Sequence, residues 1–195
     1  MVATQRQWGK PERPQMPPTV KHQAYAGPSA MDAVARRLLC RDELIRRFTP
    51  QEYANALESW AWLPGGLDGK LPIMTTAFGD VFLHGDSGVW FLDTIEGTLV
   101  LRWADQAALQ ADLTTRETQQ DVLMPWLVGA ADAAGLLPGA TDILSFKHPQ
   151  VLGGAMTIEN VEVSDFVVSL NLAGQIHHKV KDLPPGTPVT NFSLE

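Results

Sequence analysis

Residues 85–88, Gly-Asp-Ser-Gly, place a serine between glycines and directly after an aspartate. A hydroxyl in such a turn can act as an acyl-transfer nucleophile, provided that a general base reaches it and N–H donors face the developing oxyanion. The histidines that precede Ser87 in the chain are His22, inside a proline-rich stretch, and His84, on the same short segment as the serine. Neither is placed as a base carried on an element of its own. The alternative is a tight turn, and it accounts for all four letters: Gly85 and Gly88 tolerate positive φ, and Asp86 and Ser87 suit turn positions.

In chymotrypsin-like proteases the tetrapeptide continues with a further glycine, whereas Val89 follows here. The turn is therefore the preferred reading, and the chain is expected not to be an enzyme. Gly65-Gly66-Leu67-Asp68-Gly69-Lys70 faintly resembles a phosphate-binding loop. It is one residue short, has Leu71 where a magnesium-binding hydroxyl belongs, and precedes a strand rather than a helix. It is expected to be a helix–strand connection. His177 and His178 are neighbours, so their rings diverge on a helix or a strand and chelate one metal poorly. A surface hydrogen bond from His178 to Asp182 fits the four-residue spacing of a helix. Cys40 follows Leu38-Leu39 and is expected in the core; as the one cysteine, it excludes an internal disulfide and a cysteine metal cluster. No cofactor is expected.

The carboxylates fall into two groups. Asp80, Asp86, Asp93 and Glu96 lie on predicted hairpins, and Asp142, Glu159, Glu162 and Asp165 lie late in the chain. A paired-carboxylate hydrolase needs two of them at a set distance, and nothing in the sequence fixes one. They are either solvated loop charges or a contact surface for a basic partner.

The elements that position these residues follow from periodicity. Residues 1–28 hold Pro11, Pro14, Pro17, Pro18 and Pro28 and predict an extended arm. Met31, Val34, Ala35, Leu38 and Leu39 open a helical stripe that Leu44, Ile45 and Phe48 continue. Thr49-Pro50-Gln51-Glu52 is a capping box with proline at the first helical position, and Pro64-Gly65-Gly66 ends that helix. LPIMTT, GDVFLH, GVWFLD and TLVLRW predict a β-meander over residues 71–103, with Val89 to Leu92 apolar on both faces and so interior. Ala104 to Leu113 is helical. Thr114 to Glu117 predicts a second capping box leading toward Leu123, Pro125 must kink or restart that helix, and Gly135 closes it. Ile143 to Lys147 reads as a strand. In the tail, Val161 and Val163 alternate, Ser164 is a candidate cap, and Val168, Leu172, Ile176 and Val180 recur every fourth residue, although Phe166 to Leu172 also fits a strand. The fold class is α/β of the α+β type: one compact domain over residues 29–195, an antiparallel meander packed by helices, behind the arm.

The chain has 195 residues and a net charge of −7, unevenly spread. Residues 1–50 contain 9 basic against 4 acidic residues, and residues 51–195 contain 6 against 18. An acidic body disfavours direct contact with nucleic acid and favours a basic partner. No apolar run is long enough for a membrane span, and the first residues lack the apolar core of a secretory signal. Both point to the cytoplasm.

Over residues 49–190 the chain resembles the immunity proteins of type VI secretion systems that neutralise DNase toxins, whose module often follows a GAD-like domain. The residues that carry the resemblance are Phe78-Gly79-Asp80, Phe91-Leu92-Asp93, the loop Pro149 to Gly154, Glu159-Asn160-Val161 and Gly174-Gln175-Ile176-His177. The N-terminal third does not resemble the GAD-like domain. The resemblance implies a cytoplasmic inhibitor that binds a cognate secreted nuclease toxin and covers or distorts its active site. The motif residues themselves read as fold glycines and strand cores. On the charge pattern, the expected toxin contacts are Asp80, Asp86, Asp93, Glu96, Glu159, Glu162 and Asp165, anchored by an exposed aromatic such as Trp90 or Trp62. The competing reading is a non-enzymatic regulatory module that uses its basic N-terminal segment.

Overall fold

The computed structural model describes residues 41–184 and residue 187. The proline-rich arm, the helical stripe before Arg41, His22 and Cys40 lie outside the described residues. The first described element, a short helix α1 (Arg41–Leu44), passes directly into strand β1 (Ile45–Arg46). The expected continuation of the helical stripe through Ile45 is therefore corrected. Ile45 pairs with Thr76 and Arg46 with Thr75, so the sheet claims these residues.

Helix α2 (Pro50–Leu57) starts as its sequence requires. The Thr49 hydroxyl accepts from the Glu52 N–H at 3.2 Å, and the Glu52 carboxylate accepts from the Thr49 N–H at 2.7 Å. Two donors that a helix start leaves unpaired are thereby satisfied. The α-helix ends earlier than expected, at Leu57, and Glu58–Trp60 tighten into a 3₁₀ turn. Residues 65–70 form turns, and the Lys70 ammonium donates to the carbonyls of Gly65 and Gly66. This is a helix–strand connection, as expected.

The meander follows as β2 (Leu71–Thr76), β3 (Val81–Gly85), β4 (Gly88–Asp93) and β5 (Thr98–Trp103), giving one antiparallel sheet in the order β1-β2-β3-β4-β5. Gly85 pairs with Gly88, so Asp86-Ser87 is a two-residue turn. Of the two glycines only Gly88 takes positive φ, at 129°.

Helix α3 (Gln106–Asp112) is capped by the Asp105 carboxylate. The next cap is Thr115, not Thr114, and the expected capping box with Glu117 does not form. The Thr114 hydroxyl instead bonds back to the Ala111 carbonyl and closes α3. A one-turn helix α4 (Arg116–Thr118) widens into a π-turn over Gln119–Leu123. Met124 then adopts φ 46°, and Pro125 restarts the chain as α5 (Pro125–Ala133). A residue before proline is pushed out of the helical region, so the break falls where Pro125 requires it. Strands β6 (Asp142–Phe146) and β7 (Val161–Asp165) form a separate antiparallel pair. The tail ambiguity resolves as helix α6 (Phe166–Val180), capped by Asp165. Ser164, the expected cap, is still in β7, with its hydroxyl bonded to that of Ser169.

Alternation along β3 and β4 explains the layers. Val81, Leu83 and Leu92 face one core with Tyr53, Trp60, Phe166 and Leu170 from α2, its 3₁₀ turn and α6. Phe82, Val89 and Phe91 face the other, with Trp103, Leu109, Leu123 and Leu127. The sheet is thus covered on both faces, and β4 is interior, as its apolar run predicts. A bond from the Leu144 N–H to the Ala77 carbonyl, 2.8 Å, ties the two sheets together.

Gly79 marks the tightest point of this joint. Its φ is 94°, and a Cβ there would stand 2.8 Å from both Ile143 and Leu170. Gly79→Ala is expected to lower stability by about 2–4 kcal/mol, the backbone term plus overpacking. Gly135→Ala, at a similar φ but facing open space, is expected to lose only about 1 kcal/mol. Urea denaturation of both variants checks the difference; equal losses would disprove the packing part.

Candidate functional site

Ser87 is exposed in its turn. Among the described residues no histidine ring is bonded to it; the His148 and His177 rings bond to the carbonyls of Leu152 and Thr94. Nor do three His, Cys, Asp or Glu side chains gather among the described residues as a metal site.

Asp80 is not on the surface. Its expected role as a contact residue is corrected, because it is only 2% exposed. One carboxylate oxygen accepts from the Thr76 hydroxyl at 3.0 Å, and the other from the Thr94 N–H and hydroxyl, both at 2.9 Å. This carboxylate joins the start of β3 to the end of β4. Burial, with the Asp93 charge second, pushes it up to about 7 against the pull of those three donors. Asp93 is half-buried and also raised by burial. It accepts from the N–H groups of Ile95 and Glu96 at 3.0 and 2.8 Å and shapes the β4–β5 turn.

The hairpin carboxylates do not form one patch. Asp86 precedes β4 and Glu96 follows it, so the length of a six-residue strand separates them, about 20 Å. Asp86 and Glu96 are exposed, as are Glu159 and Glu162. Asp165 is half-buried and caps α6 through the Val168 N–H at 3.0 Å. The proposed aromatic anchors are also not free. Trp90 is half-buried, with the Lys70 ammonium 4.5 Å from its ring centroid. Trp62 donates from Nε1 to the Gly174 carbonyl at 3.2 Å and stacks on His178. Asp182 pairs with Lys181 at 2.7 Å, in place of the expected bond from His178.

Of the C-terminal motifs, Gly174 to His177 lie on α6 and Pro149 to Leu152 line a groove beside it. Trp60 Nε1 donates to the Leu170 carbonyl at 3.0 Å, and Gly174 packs against Ser59 so closely that any side chain would overlap it. His177 is buried, and its Nε2 lies 3.1 Å from the Thr94 carbonyl at the β4–β5 turn. Burial lowers its basicity, partly offset by that carbonyl and by Asp93. The Asn160 amide fastens the loop after β6, donating to the carbonyls of His148 and Ala155 at 2.8 Å each. These motif residues are joints of the fold.

Between α6, β6/β7 and the Pro149 to Leu152 turn the joints leave a groove of about 320 Å³. Its walls include Phe146, Leu152, Val168, Leu172 and Ile176, with Glu162, Ser145 and Ser164 as polar members. Val168 is 60% exposed and Leu172 38%. The sequence reading used the Val168–Leu172–Ile176 stripe only as a sign of helix. The buried face is carried by Phe166, Leu170, Gly174, Ile176 and His177, so of that stripe Val168 and Leu172 stand in solvent. The signal was present: two apolar stripes on one helix exceed what a single core-facing side can bury.

No family model and no curated protein matches the sequence. Among solved structures the chain is similar to the protein Atu4351 from Agrobacterium tumefaciens, at 17% identity and a TM-score of 0.41, over 68% of this chain and 67% of that one. Among the described residues no helix is long and apolar enough to cross a membrane.

The Asp80 joint is open to test. Asp80→Ala strands the Thr94 N–H and two hydroxyls, and is expected to cost about 2–4 kcal/mol. The pH dependence has a definite sign. A carboxyl raised by folding supports the fold fully below its unfolded value near 4, and that support is lost as pH rises toward about 7. Asp80→Asn carries no such term. Its stability relative to the parent should therefore improve as pH rises from 4 to 7, as read by chemical denaturation at each pH; a constant difference would refute it.

Proposed function

We propose that this chain is a cytoplasmic immunity protein that binds the cognate DNase toxin of a type VI secretion system and inhibits it by covering or distorting its nuclease site. The observation that carries this reading is the charge of the folded body. Residues 41–184 hold 19 acidic and 9 basic residues. A nuclease surface that grips DNA is basic, because it must neutralise phosphates. An acidic protein of similar reach competes for that surface and is steered to it by the same field. The ordered motif series of the resemblance supports the same reading. In the structure those residues act as joints, which leaves the outer surface to vary with the toxin it meets.

Inhibition of this kind needs no covalent step in this chain. The exposed carboxylates Asp86, Glu96, Glu159 and Glu162 offer negative charge at several places on the body. Asp80 contributes by holding the meander rigid. A preformed surface loses less conformational entropy on binding than one that must first be ordered.

The test is co-expression with the toxin encoded beside this gene, followed by purification and a plasmid-degradation assay. The expected outcome is a stable complex and intact plasmid, with association slowing as salt rises. Failure to form a complex, or a complex that still degrades plasmid, would overturn the proposal.

A further inference from the structure

We infer that the groove along α6 is where the partner inserts an apolar chain segment flanked by basic residues. This inference rests on the immunity reading and names the surface that reading leaves open. Among the described residues, three of the ten large apolar side chains that stand exposed, Val151, Val168 and Leu172, border this one groove. The others lie on different elements, such as Leu71 at the start of β2, Leu137 after α5, and Val100 and Leu101 on β5. Apolar surface gathered around a concave site marks a place of contact, whereas scattered exposed residues do not.

The occupant's chemistry follows from what surrounds the groove. The apolar lip extends outward beyond the cavity, because Val168 keeps 60% of its surface exposed. A small molecule filling the cavity would leave that lip in water. A chain segment crossing it covers both. Glu162 lines the groove and is exposed, and Glu159 is exposed just before it. The Lys147 ammonium, also at the wall, is turned onto the Glu159 carbonyl at 2.8 Å. The ammonium keeps its charge on that neutral carbonyl, so two carboxylates against one ammonium leave this side net negative, and flanking lysine or arginine residues on the segment complement it. The folded body of a second copy does not: residues 41–184 carry the same acidic excess and repel.

The experiment is a calorimetric titration of the nuclease domain encoded beside this gene into the parent protein, into Val168→Glu/Leu172→Glu, and into Leu71→Glu/Leu137→Glu as the control. The groove variant is expected to lose affinity by about 100-fold or more, since two introduced carboxylates would be buried unpaired against the apolar segment. The control is expected to bind within about threefold of the parent, as exposed positions outside an interface do. Hydrogen exchange on the parent complex gives a reading that needs no variant: amides of residues 149–154 should exchange more slowly when the nuclease is bound. Unchanged affinity of the groove variant, or unchanged exchange in that loop, overturns the groove while leaving the immunity reading intact. A parent protein that does not bind the nuclease removes both.

Discussion

Strands β3 and β4 carry apolar side chains on both faces, and every other element is placed by the need to cover them. Val81, Leu83 and Leu92 turn one way, and Phe82, Val89 and Phe91 turn the other. All six are at most 5% exposed. A sheet covered on one face would leave three of these side chains in water, at about 1.5–3 kcal/mol each. The chain supplies α2 and α6 to one side and α3, the π-turn and α5 to the other. The first pair comes from segments roughly a hundred residues apart, so the closing of that layer is a long-range event. Its fastening is correspondingly specific: two indole N–H groups, from Trp60 and Trp62, reach backbone carbonyls of α6.

How α6 is fastened also explains what it exposes. The helix is held at Leu170, Gly174 and His177, three points along one stripe. Each contact is a hydrogen bond worth about 1 kcal/mol net, with a larger penalty for leaving the buried donor unpaired. Together they fix the rotation of the helix about its axis. Once that rotation is fixed, the second stripe of Val168 and Leu172 must face the groove. Val168 and Leu172 are kept in water by directional bonds made elsewhere on the helix. The exposed apolar stripe is thus a consequence of the core's geometry.

The carboxylates divide along the same line. Asp80 and Asp93 work inward, accepting backbone N–H groups where the strands turn, and Asp165 caps α6. Asp86, Glu96, Glu159 and Glu162 stand outward. Residue type does not separate the two sets; burial does, since Asp80 is buried and Asp93 and Asp165 half-buried. A buried carboxylate with three donors is tolerated, since hydrogen bonds replace the lost water. Only the outward set keeps its full field in solvent.

The sequence by itself determined the four meander strands, the turn at Asp86-Ser87, the Thr49 capping box, the restart at Pro125 and the helix stop at Gly135. Each is a local matter, decided by side-chain alternation, by hydrogen bonds between near neighbours, or by the backbone limits of proline and glycine. The sequence did not reveal that Ile45 leaves its helical stripe for the sheet, because its partner Thr76 is far along the chain. It did not show that Asp80 turns inward, or that Asp86 and Glu96 stand at opposite ends of β4. Neither could it assign the two stripes of α6, since both are apolar and only the positions of Trp60, Trp62 and Thr94 decide which is buried. Those are distances between segments remote in sequence, and only the tertiary structure sets them.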